Sequence, residues 1–265
     1  MLLSLLLFAS ACVPSPQAPP SVEEIFKKVR EAIPKSPRYA ADFEEVRTLD
    51  APGIRYTVKT TGRVYVGGNR LLRLEGEARS NPPPPGRPEK ETHTVVADGE
   101  YLWMDPPALP SGKRLIFRGR LEDVERQGAA GGMTEASSDP SKAIDQLLAQ
   151  YSFTYRGEEV LDGRKVWVLE GVPRPDAPED QDPMAEMLRA RLKSVLVKIG
   201  KEDGWVYHFE MRGAADAPPL MLKRYWNLRW NPELDPALFR FTVPAGAEIQ
   251  DMAAEAPASR SGGGR

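Results

Sequence analysis

Apolar and polar residues alternate along most of the chain from Tyr39 onward, and turn-forming residues separate the alternating stretches. A period of two is typical of strands that bury one face. The pattern predicts strands over residues 55–66, 70–76, 91–97, 101–104 and 114–118. Together these short strands and turns indicate an antiparallel meander.

Three Asp-Gly pairs between alternating apolar runs support this interpretation. They are Asp98-Gly99, Asp162-Gly163 and Asp203-Gly204. An Asp-Gly pair in such a position favours a tight hairpin, because the central turn residues need positive φ angles. We therefore predict a hairpin at each pair.

Helical spacing occurs at three places. Ser21 and Glu24 have the spacing of a capping box, and apolar residues then recur every three or four positions until Pro34. Pro140 and Pro183 each follow an aspartate, and each starts a segment with apolar residues at helical spacing. We predict a helix at each of the three places.

Composition favours one large, mainly β domain with a short segment at each end. The 26 prolines and 22 glycines predict many short elements rather than a helical bundle. A formal charge of -2 offers no basic surface for nucleic acid. We expect a lipoprotein signal peptide over residues 1–11, a proline-rich tether over 12–21, a folded body over 22–252 and a disordered tail over 253–265.

The N-terminus is typical of an exported lipoprotein. Residues 1–11 form an apolar run that ends in small residues and is too short to span a bilayer. The four residues ASAC, ending at Cys12, resemble the bacterial lipobox, which implies cleavage before Cys12 and acylation of that residue, for example with palmitate. Because Val13 rather than aspartate follows, we expect the protein at the periplasmic face of the outer membrane. An ordinary secreted protein with an incidental cysteine is the alternative.

Several motifs occur in an order that resembles the LolA and LolB family of periplasmic lipoprotein carriers and acceptors. They are the first helix, the aromatic strand YAADFEEV, the hairpin VADGEYLW at residues 96–103, the short helix near 144–148 and a closing strand over 239–249. The resemblance spans residues 22–252. It implies a mainly β (α+β) fold: an antiparallel half-barrel of about eleven strands, with helices covering the concave face and an apolar cavity that takes acyl chains.

Two positions depart from the family's pattern. Where the carrier has an arginine that holds its lid closed, the matched strand has Gly68, and Arg70 follows two residues later. The loop between Asn81 and Glu91 has no leucine, whereas the acceptor displays an apolar residue on a projecting loop. The resemblance therefore predicts the fold without assigning the step in lipoprotein transport.

Bulky apolar residues on the predicted strands and on the helix at Pro140 are candidates for the binding wall. Aromatic and methionine side chains suit a flexible apolar ligand because they pack adaptably, although each could equally belong to a plain core. The candidate cavity and lid residues are Leu72, Leu74, Val96, Trp103, Ile144, Leu147, Leu148, Phe209, Met211, Trp226 and Trp230.

Period two assigns faces to the last strands. It places Trp226 with Leu228 and Trp230, and it places Tyr207 with Phe209 and Met211. Arg224 falls on the face of Trp226. This face is therefore either the mouth of the cavity or the outside, and in the second case Met221 and Tyr225 line the inside instead.

The sequence does not favour an enzyme, a metal or a cofactor. Its two histidines, His93 and His208, lie in predicted strands, where histidine is more often a hydrogen-bonded wall residue than a base. The sequence has no nucleophile elbow, zinc-protease helix or glycine-rich phosphate loop. Its single cysteine cannot form a multi-cysteine metal cluster.

We therefore expect a lipid-anchored envelope protein that binds acyl chains of lipids or lipoproteins, for transport or insertion at the outer membrane. Its expected partners are those acyl chains, the membrane through the anchor, and a carrier or inner-membrane protein; we expect a monomer. Two alternatives stay open: an envelope-stress sensor of the same fold, and a structural lipoprotein with a filled barrel. Sensors of this fold usually carry a second C-terminal domain, which counts against the first alternative.

Overall fold

The structure is a computed structural model that describes residues 19–252, apart from residues 35, 52–53, 69, 84–85, 87, 110, 127–139 and 178–187. Cys12, the predicted signal peptide and the predicted tail lie outside the described residues, as does most of the helix predicted to start at Pro183. Residues 188–191, at the end of that segment, are helical.

The described part of the chain folds into a few helices and many strands. The helices are α1 (Val22–Ala32), α2 (Leu121–Arg126) and α3 (Pro140–Gln150). The strands are β1 (Arg38–Ala51), β2 (Ile54–Gly68), β3 (Leu71–Asn81), β4 (Lys90–Asp98), β5 (Tyr101–Asp105), β6 (Leu115–Arg120), β7 (Tyr151–Leu161), β8 (Arg164–Pro173), β9 (Ser194–Gly200), β10 (Val206–Arg212), β11 (Met221–Trp230) and β12 (Glu248–Asp251).

The twelve strands form one open, curled sheet in the order β12-β6-β5-β4-β3-β2-β1-β11-β10-β9-β8-β7. Neighbouring strands are antiparallel except for β12 and β6, which are parallel. The mainly β half-barrel with helices is confirmed. The sheet has one strand more than the expected eleven because the short β12 adds to one edge.

Local signals produced the predicted turns and the first helix. β4 and β5, β7 and β8, and β9 and β10 each pair as hairpins around one of the three Asp-Gly pairs. Their glycines have φ angles of 100°, 78° and 68°, in the region that glycine adopts without strain. At α1 the capping box is present: Glu24 N donates to Ser21 Oγ at 3.1 Å, and Ser21 N donates to Glu24 Oε2 at 2.8 Å.

The closing segment differs from its prediction. Residues 240–247 form no strand, and β12 contains only the last part of the expected closing strand. Two features explain the difference. Gly246 has a φ of 76°, and Ala247 N donates to Pro244 O in a tight turn, so the chain bends where a strand would have to be extended.

The pairing register defines the two faces of the sheet. Side chains of directly paired residues lie on the same face. Tyr39 pairs with Val66, Val66 with Leu72, Leu72 with Ala97, and Ala97 with Leu102, and all of these residues are buried in one cluster. α2 packs on this face through Leu121, and α1 packs on its continuation over β8 and β9. We call it the concave face and the opposite one the convex face.

A β-bulge in β11 interrupts the alternation of faces. Ala40 pairs with Arg229 and Asp42 with Trp226, so Asn227 and Leu228 together oppose a single residue of β1. Asn227 has a φ of 51°, in the left-handed region that asparagine tolerates better than most residues. As a result, the residues before and after Asn227 do not keep the same face at even spacing.

We expect Asn227→Val to destabilise the protein by about 1 to 3 kcal/mol, because a β-branched residue is strained at positive φ. Asn227→Gly should stay within a few tenths of a kcal/mol of the wild type, since glycine adopts this conformation freely. Urea denaturation of both variants checks this. If both variants lose the same free energy of unfolding, the stabilising feature is the hydrogen bond that Asn227 Nδ2 donates to Asp42 Oδ2 at 2.8 Å, and not the backbone conformation.

Candidate functional site

Two apolar clusters make up the protein's interior. The first cluster centres on β1 to β5 and β11, and consists of Tyr39, Ala41, Phe43, Val64, Val66, Leu72, Ala97, Leu102, Leu121, Val166, Tyr207, Tyr225 and Leu228. The second cluster lies beneath α1 and α3, and consists of Ile25, Phe26, Val29, Ile144, Tyr151, Trp167, Leu169, Leu192, Val195, Val197, Ile199 and Leu220. Through Phe209 and Met211 of β10, which pair with Lys223 and Met221, the same face continues from one cluster to the other.

The structure brings eight of the eleven predicted cavity and lid residues to these clusters. Leu72 is part of the first cluster, and Leu74 and Trp230 pack against it. The other five belong to or pack against the second cluster: Ile144, Leu147, Leu148, Phe209 and Met211. Their location on the concave side agrees with a binding wall, and their contact with a ligand stays a prediction.

Val96 and Trp103 lie on the convex face, so their predicted place in the cavity wall is wrong. They pair with each other, one residue out of phase with the concave pair Ala97 and Leu102. Val96 is nevertheless fully buried. The 3-10 turn Pro236–Phe239 and the chain after it cover this part of the convex face, where the ring of Phe241 stacks on Trp103 with centroids 5.3 Å apart.

Trp226 does not share a face with Leu228 and Trp230, and that prediction is also wrong. It pairs with Asp42 on the convex face and is 36% exposed, whereas Leu228 is buried in the first cluster. Arg224 is convex too, since it pairs with Glu44 and donates to its carboxylate at 2.7 Å. The bulge at Asn227 causes the change of face, and the open alternative in which Tyr225 lines the inside is the one observed.

A second bulge separates Tyr207 from Phe209 and Met211. The register of β10 shifts between Val206 and His208, which leaves Tyr207 as the additional residue. Tyr207 is buried in the first cluster and donates from its hydroxyl to Asp203 Oδ2, whereas Phe209 packs against the second cluster. The additional residue breaks the period of two on which the shared face was predicted, and Tyr207 contacts the first cluster whereas Phe209 and Met211 contact the second.

Four aromatic residues meet where the ends of β1 and β11 approach the turn between β9 and β10. Trp205 lies at the centre of this aromatic cluster, with its ring centroid 4.6 Å from Tyr39, 5.6 Å from Tyr225 and 5.6 Å from Trp230. The Tyr39 and Trp230 rings are 5.8 Å apart. All four contacts are edge-on, the arrangement that aromatic quadrupoles favour.

Little in the sequence indicates this aromatic cluster. Of its members only Trp230 is among the predicted wall residues, and Tyr225 is an alternative. Trp205 directly follows the Asp203-Gly204 turn, which places it at the end of the sheet, but its partners come from strands far away in sequence.

A charged pair lies next to the aromatic cluster on the concave face. Lys223 Nζ is 3.5 Å from Glu45 Oε2, and the two side chains are only 13% and 14% exposed. The same ammonium lies 5.5 Å from the ring centroid of Tyr225 and 5.7 Å from that of Phe43. Carboxylate and aromatic rings together stabilise the lysine's charge in this partly desolvated position.

The histidines are wall residues, as the sequence predicted, and they lie on opposite faces. His93 is concave, pairs with Gly76, and has a pKa lowered by burial. His208 is convex; burial also lowers its pKa, while its hydrogen-bonded partner Glu210 opposes the shift. Both are therefore held in the neutral form more strongly than a free histidine.

The described residues contain a depression of about 470 Å³ on the convex face. Most of its lining residues have polar or charged side chains, among them Asp42, Arg63, Glu75 and Glu77, and burying these charges beneath an acyl chain would be costly. Within the described residues, His, Asp and Glu side chains form no group of three that could hold a metal ion. None of the described helices is long and apolar enough to cross a membrane.

No family model matches the sequence. A curated protein from Methanocaldococcus jannaschii, described as uncharacterized, is 22% identical over 166 residues, which is 63% of this chain. The chain spans 40% of the length of that relative.

Solved structures with a similar fold come from several bacteria. A conserved protein of Thermus thermophilus has 14% identity and a TM-score of 0.45, over 86% of this chain and 98% of that chain. The Mycobacterium tuberculosis lipoprotein LppX has 12% identity and a TM-score of 0.43, over 81% and 99%. A LolA superfamily protein of Nitrosomonas europaea has 13% identity and a TM-score of 0.31, over 83% and 97%. These likenesses concern the fold alone.

The two tryptophans of β11 should respond differently to truncation. We expect Trp230→Ala to cost about 3 to 5 kcal/mol, because it opens a cavity beside the first cluster. Trp226→Ala should cost less than about 1 kcal/mol, because its ring is partly exposed on the convex face. Guanidinium denaturation of the two variants measures the difference, and similar losses would contradict the assignment of faces.

Proposed function

We propose that this protein is a non-catalytic, lipid-anchored envelope protein that binds acyl chains of lipids or lipoproteins on its concave face. The observation that carries the proposal is the apolar lining of that face, which runs from the first cluster to the second and is covered by helices. Transport or insertion of that cargo at the periplasmic face of the outer membrane is the role we propose for it, as a monomer that exchanges cargo with a carrier or inner-membrane protein.

The lining has the chemistry that a flexible aliphatic ligand requires. Phe209, Met211, Leu147 and Leu148 are only partly buried and pack around the second cluster. Such side chains can change rotamer to accommodate chains of different length, and they need no hydrogen-bond partner.

α3 has the features of a lid. Its residues Ile144, Leu147 and Leu148 face the second cluster, while Asp145 faces outward and accepts a hydrogen bond from Arg30 of α1 at 2.7 Å. This ion pair is exposed on both sides, so it holds the helix only weakly. The described side chains of α3 attach it through apolar contacts and this exposed ion pair, and such an attachment lets a helix move at small energetic cost.

The arrangement of polar groups favours binding over catalysis. His208 interacts with Glu210, which in turn accepts hydrogen bonds from Arg212, and all of this lies on the face opposite Phe209. Burial opposes the ionisation of Glu210, but the hydrogen bonds from Arg212 and His208 outweigh it and lower the pKa of the carboxyl group. A carboxylate whose pKa is lowered in this way is a weaker general base than an ordinary glutamate.

Leu148→Glu tests the lid. A charged side chain facing the second cluster should lower the amount of lipid that co-purifies several-fold, and the loss of stability should be about 1 to 2 kcal/mol because Leu148 is only partly buried. Native mass spectrometry of the protein purified without delipidation measures the occupancy, and thermal unfolding measures the stability.

Gln146→Glu is the matched control, since it adds the same charge on the exposed side of α3. It should leave lipid occupancy unchanged. If the wild-type protein carries no lipid and Leu148→Glu costs several kcal/mol, the barrel is filled by its own side chains and the structural alternative is the better one.

Cys12→Ser tests the anchor. Acyl chains contribute about 0.8 kcal/mol for each buried methylene, so a cysteine with two or three chains attaches a protein firmly to a membrane. We expect the serine variant to appear in the soluble periplasmic fraction, whereas the wild type should sediment with membranes after a salt wash. Sedimentation of the variant under the same conditions would rule out this lipid as the attachment.

A further inference from the structure

Two hydrogen-bond donors in the aromatic cluster are buried without an acceptor. Among the described residues, the indole nitrogens of Trp205 and Trp230 have no partner within hydrogen-bonding distance. Trp103 shows the usual situation, since its indole nitrogen donates to Asp98 Oδ2 at 2.8 Å. Buried donors are nearly always paired, so two neighbouring exceptions require an explanation.

The two indoles lie at the junction of the apolar clusters. Trp205 and Trp230 pack against the first cluster, while Val206, the next residue after Trp205, packs against the second. Trp205 is held there by its own turn, because its backbone nitrogen donates to Asp203 Oδ1 at 3.0 Å and its carbonyl accepts from Gly200 N at 2.8 Å. The backbone of Trp205 is therefore held beside both clusters, and its indole ring and that of Trp230 pack against the first.

We propose that Trp205 and Trp230 donate hydrogen bonds to the ester carbonyl oxygens of a diacylglyceryl lipid, whose chains lie along the concave face. This inference rests on the proposed function and makes it more specific. An ester carbonyl is an acceptor without a donor, and it stands at the head of each aliphatic chain. It satisfies an indole N–H in an apolar environment without bringing in a charge.

The competing explanation is internal to the protein. Trp205 and Trp230 meet with their ring planes at 86°, and Trp205 and Tyr225 at 75°, so an indole N–H can point to the face of a neighbouring ring. In that case the donors are already satisfied weakly and have no preference for an ester over an ether. The two explanations therefore differ in the affinity for ester and ether lipids.

The test compares dioctanoyl phosphatidylglycerol with its dioctyl ether analogue by isothermal titration calorimetry. The wild type should bind the ester roughly 30-fold more tightly, the effect of about two hydrogen bonds. Trp205→Phe and Trp230→Phe keep an aromatic ring but lose the donor, so the preference should fall in each and vanish in the double variant. Trp103→Phe, which loses a paired donor on the convex face, should keep the full preference.

A diacylglyceryl group occurs both in glycerolipids and at the N-terminus of a lipoprotein. A diacylglyceryl-cysteine lipopeptide and its ether analogue form a second arm of the titration. If the lipopeptide binds more tightly and its ester preference depends on the two indoles, the natural ligand is a lipoprotein. If the phosphatidylglycerol does so, the natural ligand is a glycerolipid.

If the phenylalanine variants fail to fold, the NMR signals of the indole N–H groups in the wild-type protein test the same proposal. The five tryptophans give five indole N–H signals, and those of Trp205 and Trp230 should move downfield with the ester lipid and much less with the ether lipid. Equal affinity for both lipids, with no movement of these signals, would overturn the inference and leave the proposed function standing. If the wild type binds neither the ester nor the ether lipid, both this inference and the proposed function are wrong.

Discussion

The concave aromatic cluster depends on one additional residue in β11. Without the bulge at Asn227, the regular alternation of the strand would keep Trp226, Leu228 and Trp230 on one face. The pairing of Arg224 with Glu44 holds the preceding stretch in register, so all three residues would then point outward. The left-handed conformation of Asn227 changes the face between Trp226 and Leu228. Leu228 and Trp230 thereby join Tyr225 and Tyr39 on the inside.

Both faces of the sheet are partly buried, which explains why many strands carry bulky residues on both sides. The concave face is covered by α1, α2 and α3, and part of the convex face is covered by the segment after β11. Phe239 packs so closely on Gly67 that a Cβ atom there would lie 2.8 Å from its ring. Arg73 also donates to the carbonyl of Leu238 at 3.1 Å. Burial alone therefore does not identify a residue of the binding wall.

The predictability of each feature follows from the range of the interaction that determines it. The three Asp-Gly hairpins and the capping box of α1 depend on residues within a few positions of one another, and the sequence predicted them correctly. The faces of β10 and β11 depend on bulges, and a tolerant residue such as Asn227 permits a bulge without requiring one. The position of Trp205 depends on Tyr39 and Trp230, which the chain brings together only after the sheet has formed. Val96 lies in an apolar run whose sequence pattern is compatible with either face of β4. Only its pairing partners show that it lies on the convex face.

The pairing of β1 with β11 has a consequence for how the protein forms. β1 to β6 and β7 to β11 are two meanders whose neighbouring strands follow one another in sequence, whereas the pairing of β1 with β11 joins residues as distant as Tyr39 and Trp230, which are 191 positions apart. Contacts of this range form late, because a long loop must be closed before they contribute any stability. We therefore expect the two meanders to form before they join along the seam of backbone hydrogen bonds between β1 and β11. Under the proposed function, a ligand bound beside this seam would contact strands of both meanders, and its binding free energy would add to the stability of their pairing.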